Sequence, residues 1–203
     1  MAEARKRRRE DPEVRKAQIL AAARRTFLGF GLHATTVDRI AVEAGVSVGL
    51  LYRFFASKTA IMKAMIAEDV ETQLEEVARD LEKASRRPET LPDVMSKHVI
   101  GSPLNREQAA LQFQIAAEVC RDEDLRAFVR AKHSELGQRL IAEAEERSGD
   151  RNFARILVEQ INLASAVASG LAMHSILYSD SPKLRADLVK RMMVAIFSQP
   201  NPT

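Results

Sequence analysis

The sequence predicts an all-α protein of roughly nine helices. Three observations carry that expectation. Apolar residues recur at three- and four-residue spacing through several long stretches, no stretch sustains the two-residue alternation of a strand, and the prolines at 12, 88, 92, 103, 182, 200 and 202 fall between the periodic stretches. With 203 residues and 46% hydrophobic content, the chain has ample material for one large core or two small ones. Apolar runs are too short or too interrupted by charge to span a bilayer, and no hydrophobic signal region follows the basic N-terminus, so a soluble, cytoplasmic protein is expected. Cys120 is the single cysteine, which excludes an intramolecular disulfide and a thiolate zinc cluster; a small buried hydrophobe is the expectation for it.

The first helix follows Pro12, with Ile19, Leu20, Ala23, Phe27 and Phe30 on one face and Gly29 and Gly31 stopping it near Leu32. Thr35 reads as the cap of a second helix, with Asp38 placed for the reciprocal bond and Val37, Ile40, Ala41 and Ala44 as its apolar face before Gly45. Ser47 caps a third helix running to about Phe55. Two short helices joined around one glycine have the outline of a helix-turn-helix. Ser57 opens a fourth pattern, Ile61, Met62, Met65, Ile66, Val70, Leu74, Val77 and Leu81, which as a helix over 57–83 is roughly 40 Å long at 1.5 Å per residue. Further helices are expected at about 91–100, 105–120, 123–148, 152–179 and 183–198, parted by Gly, Pro, Ser and Asp clusters.

Charge is polarised along the chain. Residues 1–63 hold 13 Lys and Arg against 6 Asp and Glu, while the remainder holds 18 against 22. A basic third on a mildly acidic body implies that one end meets a polyanion. The run Arg5, Lys6, Arg7, Arg8 and Arg9 accounts for part of it, but Arg24, Arg25, Arg39, Arg53, Lys58 and Lys63 lie beyond. On the third helix, Leu51 and Phe55 point one way, and Val48, Gly49, Tyr52 and Arg53 point the other. A glycine near the start of such a helix lets its backbone approach a duplex closely. A tyrosine offers a hydroxyl to phosphate, and an arginine offers charge or a fork to guanine.

These residues carry a resemblance. Thr35, Thr36, Arg39, Ile40, Ala41, Ala44, Gly45, Val46, Ser47, Gly49, Leu51, Tyr52, Phe55, Ser57 and Lys58, at their fixed spacings within residues 16–65, resemble the tetracycline-repressor (TetR) family of bacterial transcription regulators. The resemblance implies a basic flexible arm over 1–12, a DNA-binding domain over 13–58 with its recognition helix at about 47–55, and an effector-binding and dimerisation body over 59–203. It implies that Thr36 and Tyr52 contact phosphates, that Lys58 binds phosphate at the start of the fourth helix, and that Val48, Gly49 and Arg53 face the groove, with Ser47 at the helix start. The arm, Arg5 to Arg9, is a candidate for the minor groove. Three departures from the family pattern stand out: Val48 where a lysine or other polar residue is common, Leu50 where Thr or Ser is frequent, and Phe54 where His or Tyr is expected.

The body carries an unusual density of small side chains over 153–178, interleaved with Ile156, Leu163, Leu171, Met173, Ile176 and Leu177. Small side chains let helices approach closely. With the helix over 183–198 this segment is the expected homodimer surface, with Leu163, Ala166, Gly170, Leu171, Leu188 and Met192 as candidates, as the resemblance also implies. Candidate lining residues for an effector pocket are Met95, Phe113, Phe128, Met173 and Tyr178, with Gln112, Asn162 and His174 as polar anchors. Little charge is available there, so an apolar or amphipathic small molecule is expected. The four histidines, His33, His98, His133 and His174, are scattered, and no nucleophile elbow, phosphate loop or metal pattern occurs, so neither an enzyme nor a metal or other cofactor is expected. The reading is a dimeric repressor of a palindromic operator released by a small molecule; the alternatives are a ligand-independent DNA-binding dimer and an enzyme with an auxiliary DNA-binding head.

Overall fold

The computed structural model describes residues 11–85, 92–94, 96, 106–177 and 182–197. Their principal helices are α1 (Pro12–Ala34), α2 (Val37–Glu43), α3 (Val48–Phe54), α4 (Lys58–Ser85), α5 (Arg106–Arg121), α6 (Glu123–Ser148), α7 (Arg151–Leu177) and α8 (Pro182–Phe197). Residues 92–94 are helical too, and no strand occurs among the described residues. The fold is all-α, as the spacing predicts. Two compact units divide the chain, Met1–Met65 and Ile66–Thr203, with the division inside α4. The basic run Arg5 to Arg9, Met95 and Tyr178 lie outside the described residues.

In the first unit α1 starts as its sequence dictates. The Asp11 side chain accepts the Glu13 amide at 3.0 Å, and Pro12, whose missing N–H costs nothing at a helix start, takes the first position. Ile19, Ala22, Ala23 and Phe27 of α1, Ile40 and Ala41 of α2, Leu51 of α3, and Ile61 and Met65 of α4 are sealed from solvent. Each large apolar side chain so buried contributes about 1.5–3 kcal/mol, and that burial draws these short helices together.

Gly31 breaks α1 with φ 79° and ψ 161°, a backbone that a side chain would strain. The chain after it differs from expectation by one residue. Thr36, not Thr35, caps α2, its hydroxyl accepting the Arg39 amide at 3.2 Å. Thr35 is buried, and its hydroxyl faces the carbonyls of Gly31 at 2.7 Å and Thr26 at 3.3 Å. The two threonines have equal capping chemistry, and burial of the first decides between them. Asp38 then sits in the first turn, one residue short of the reciprocal position. Phe30 is a second correction: it is 57% exposed, and its ring carries the Arg39 guanidinium at 4.1 Å from the centroid.

In the second unit α6 packs on α7, α5 packs on both, and α8 packs on α7. The core comprises Ile66, Val70, Leu74, Val77 and Leu81 of α4, Leu125, Leu136 and Leu140 of α6, Leu157, Val158 and Ile161 of α7, and Val189 and Met193 of α8. Asp122 caps α6 by accepting the Leu125 amide at 2.9 Å, and Gly149 ends it. The Gln160 side chain donates to the Ile196 carbonyl at 2.7 Å and ties α7 to α8. Cys120, expected to be buried, is exposed. It stands five residues past Ile115, roughly 140° around α5 from that buried position.

Candidate nucleic-acid interface

The helix-turn-helix is assembled by backbone bonds that leave little freedom between its two helices. Ala44 closes α2 by donating to Ile40 at 2.8 Å, Gly45 turns the chain with φ 64°, and Val46 donates back to Ala41 at 3.0 Å. Ser47 then caps α3, its hydroxyl accepting the Leu50 amide at 3.2 Å. Side chains from α1 brace the far end of α2: Gln18 donates to the Ala44 carbonyl at 2.7 Å, and Arg25 pairs with Glu43 at 2.7 Å. These braces span 26 and 18 residues of sequence, so no local pattern discloses them.

Leu51 is fully buried and Phe55 nearly so, while Tyr52 is 51% exposed. Ser47, Gly49 and Arg53 are exposed with Tyr52, and Val48, Leu50 and Phe54 are half-buried. Phe54, which stands where a polar residue is expected from the resemblance, thus gives part of its ring to packing. A Cβ placed on Gly49 meets nothing within 4 Å, so no neighbour in the chain requires a glycine there. Thr36 is exposed one helix away. Lys58 is turned inward: its ammonium donates to the Leu32 carbonyl at 2.6 Å and the Thr35 carbonyl at 3.3 Å.

The sequence profile of the tetR family of bacterial regulatory proteins matches residues 19–65, the segment that builds this motif. Over that segment the chain is similar to the tetR family. The chain is 36% identical over 79 residues to the HTH-type transcriptional regulator HbdR of Aromatoleum sp. strain CIB, covering 39% of this chain and 34% of that one. It is 31% identical over 121 residues to the HTH-type transcriptional regulator UidR of Escherichia coli K12, covering 58% of each. The similarity thus spans about a third to somewhat over half of those relatives' length. The solved structure of Salmonella enterica GusR superposes with a TM-score of 0.67 at 24% identity, over 93% of this chain and 98% of that one. That likeness is one of fold alone, and it covers residues of both units.

The body residues divide differently. On α7, Leu163, Ala166 and Gly170 are exposed and Leu171 is half-buried; on α8, Leu188 and Met192 are 43% and 42% exposed. Leu163, Ala166, Gly170, Met173 and Leu177 recur at three- and four-residue steps, so they form one exposed stripe. Met173, a pocket candidate, therefore shares the face of the dimer candidates. Gln112, Asn162 and His174 are exposed, and Phe113 and Phe128 are half-buried. A concavity lined by Ala142, Glu143, Glu146 and Arg147 lies on α6 and includes none of the pocket candidates. Among the described residues, no group of three His, Cys, Asp or Glu side chains is placed to hold a metal, and no helix is long and apolar enough to cross a membrane.

Proposed function

We propose that the chain is a sequence-specific DNA-binding transcriptional regulator whose α3 enters the major groove while α2 crosses the backbone. One observation carries the reading: α3 spends Leu51 and Phe55 on the core and leaves Gly49, Tyr52 and Arg53 on its open face. Gly49 lets the start of α3 approach a base pair closely, since nothing in the chain fills the space a side chain would take. Tyr52 and Thr36 donate hydroxyls to phosphates, Ser47 and Val48 border the groove, and Arg53 supplies a fork to phosphate or guanine. The basic arm, Arg5 to Arg9, follows the adjacent minor groove.

The regulator acts as a homodimer. The exposed stripe of α7 and the exposed Leu188 and Met192 of α8 belong to two helices that pack on each other, so their apolar surface pairs with a second copy. Two heads then read a palindromic operator in the cytoplasm. The outcome is repression, relieved when an apolar or amphipathic small molecule binds the second unit at a site drawn from Met95, Gln112, Phe113, Phe128, Asn162, Met173, His174 and Tyr178. Effector and operator affinities are then reciprocally linked. Selection of bound fragments from genomic DNA tests the reading: an enriched inverted repeat is expected, and recovery of fragments with no shared sequence would overturn it.

A further inference from the structure

The first turn of α3 differs in chemistry from the residues that follow it. Val48, Gly49, Leu50 and Leu51 carry no side-chain group that can form a hydrogen bond, whereas Tyr52 and Arg53 do and are exposed. Leu51 is spent on the core, and Gly49 has open space where a side chain would stand. Val48 is the first residue of α3, directly after the Ser47 cap, and it is half-buried, so part of its isopropyl group remains open. It precedes Tyr52 by four residues and so lies beside it along the helix. In a helix-turn-helix the N-terminal residues of the second helix meet base edges in the major groove. An apolar side chain at that place discriminates in two ways. It packs on the C5-methyl group of thymine, and it leaves the amino group of a cytosine or adenine without a partner once water is displaced. Both effects favour thymine.

We propose that Val48 is a specificity-determining residue that reads the C5-methyl group of one thymine in each operator half-site, with Gly49 beside it giving the helix start the close approach this contact needs. The inference rests on the DNA-binding reading above and names the chemistry by which the operator is selected. Uracil differs from thymine only by that methyl group and keeps the same pairing and hydrogen-bonding edge. Exchange of the one for the other therefore isolates the contact. Burial of a single methyl group corresponds to about a fourfold change in affinity, and two symmetry-related contacts multiply to about fifteenfold.

The test uses the full chain and, as probe, the duplex inverted repeat most enriched from genomic DNA, with its thymines replaced by uracil one at a time. For the wild-type chain, one replacement in a half-site is expected to lower affinity about fourfold, and the symmetry-related pair about fifteenfold. Val48→Ala, which removes the isopropyl methyl groups, is expected to bind the thymine and uracil duplexes equally well while circular dichroism finds it folded. A second measurement needs no variant. At the sensitive position, a C·G pair is expected to bind the wild-type chain more weakly than T·A, and methylation of that cytosine at C5 is expected to recover about fourfold. Absence of any uracil-sensitive thymine, full sensitivity retained in Val48→Ala, or no recovery on methylation would overturn the proposal and leave the DNA-binding reading in place. Failure of the wild-type chain to bind any enriched duplex would overturn that reading and this inference with it.

Discussion

The two compact units lean on polar side chains to different degrees. In the first unit, long side chains reach across the sequence to backbone carbonyls: Gln18 to Ala44, Lys58 to Leu32 and Thr35, and Arg24 to Met65. In the second, Gln160 makes such a bond to the Ile196 carbonyl, but many ion pairs are local to one helix turn, such as Lys132 with Glu135, Arg126 with Glu123, and Arg147 with Glu143. Arg139 with Glu71 and Lys190 with Asp93 reach farther, but their side chains are about half exposed. Bonds from half-buried side chains to backbone fix where one helix sits against another, whereas exposed local pairs add little beyond helix support. The first unit is thus built to one geometry. The second owes its arrangement chiefly to apolar packing, which tolerates substitution as long as volume and pattern are kept.

The largest effect that sharpens this contrast is expected in the core of the first unit. Phe27 is fully buried, and Phe27→Ala should cost about 3–5 kcal/mol in urea unfolding, while Phe153→Ala, at a position 39% exposed, should cost well under half of that. Equal losses would contradict the difference in burial between the two positions. Next comes Leu163→Asp on the exposed stripe of α7. Sedimentation is expected to show dimer dissociation favoured at least tenfold, about 1.4 kcal/mol, with helical content unchanged. A variant that sediments as the wild type does would remove that face from the interface.

Smaller still is the expected stability change for Gly49→Ala, and its sign is informative. With open space around the new methyl group and a helical backbone, the variant should gain up to about 1 kcal/mol of stability while losing DNA affinity. Loss of stability instead would place the need for glycine inside the fold. The smallest effect is expected at Lys132→Ala. The Lys132 hydrogen bond, then its charge, holds the Glu135 carboxyl below the usual carboxylate range, with Arg139 adding to the shift, so carboxyl titration by NMR should show the Glu135 pKa rise in the variant. Because the folded-state pKa is depressed, whatever the pair adds to stability is present above the unfolded carboxylate pKa and lost as pH falls through the folded value. The Glu135 side chain is exposed, so no measurable change in unfolding midpoint should accompany the titration shift.

Residues whose role is local are legible in the sequence. Ser47 and Ser57 cap the helices their positions suggest, and Leu51, Phe55 and Tyr52 divide as four-residue spacing requires. Where two neighbours share the same chemistry, the sequence leaves the choice to tertiary burial, and the cap of α2 fell to Thr36 for that reason. The stacking of Arg39 on Phe30 and the braces at Gln18, Arg25 and Lys58 depend on chain segments brought together only by folding. In the body, the density of small residues is visible in sequence, but periodicity assigns faces without saying which one meets solvent. Met173 is thus open to a pocket reading from the sequence, and in the structure it lies on the exposed stripe of α7.

The account turns on the open face of α3, and one binding isotherm examines it most directly. On the DNA fragment most enriched from the genome, the variant Tyr52→Ala with Arg53→Ala should bind at least 100-fold more weakly than the wild-type chain, about 2.7 kcal/mol. Its unfolding midpoint should stay within the spread of repeated measurements, because both side chains are exposed. Wild-type affinity in that folded variant would contradict the claim that this face meets DNA.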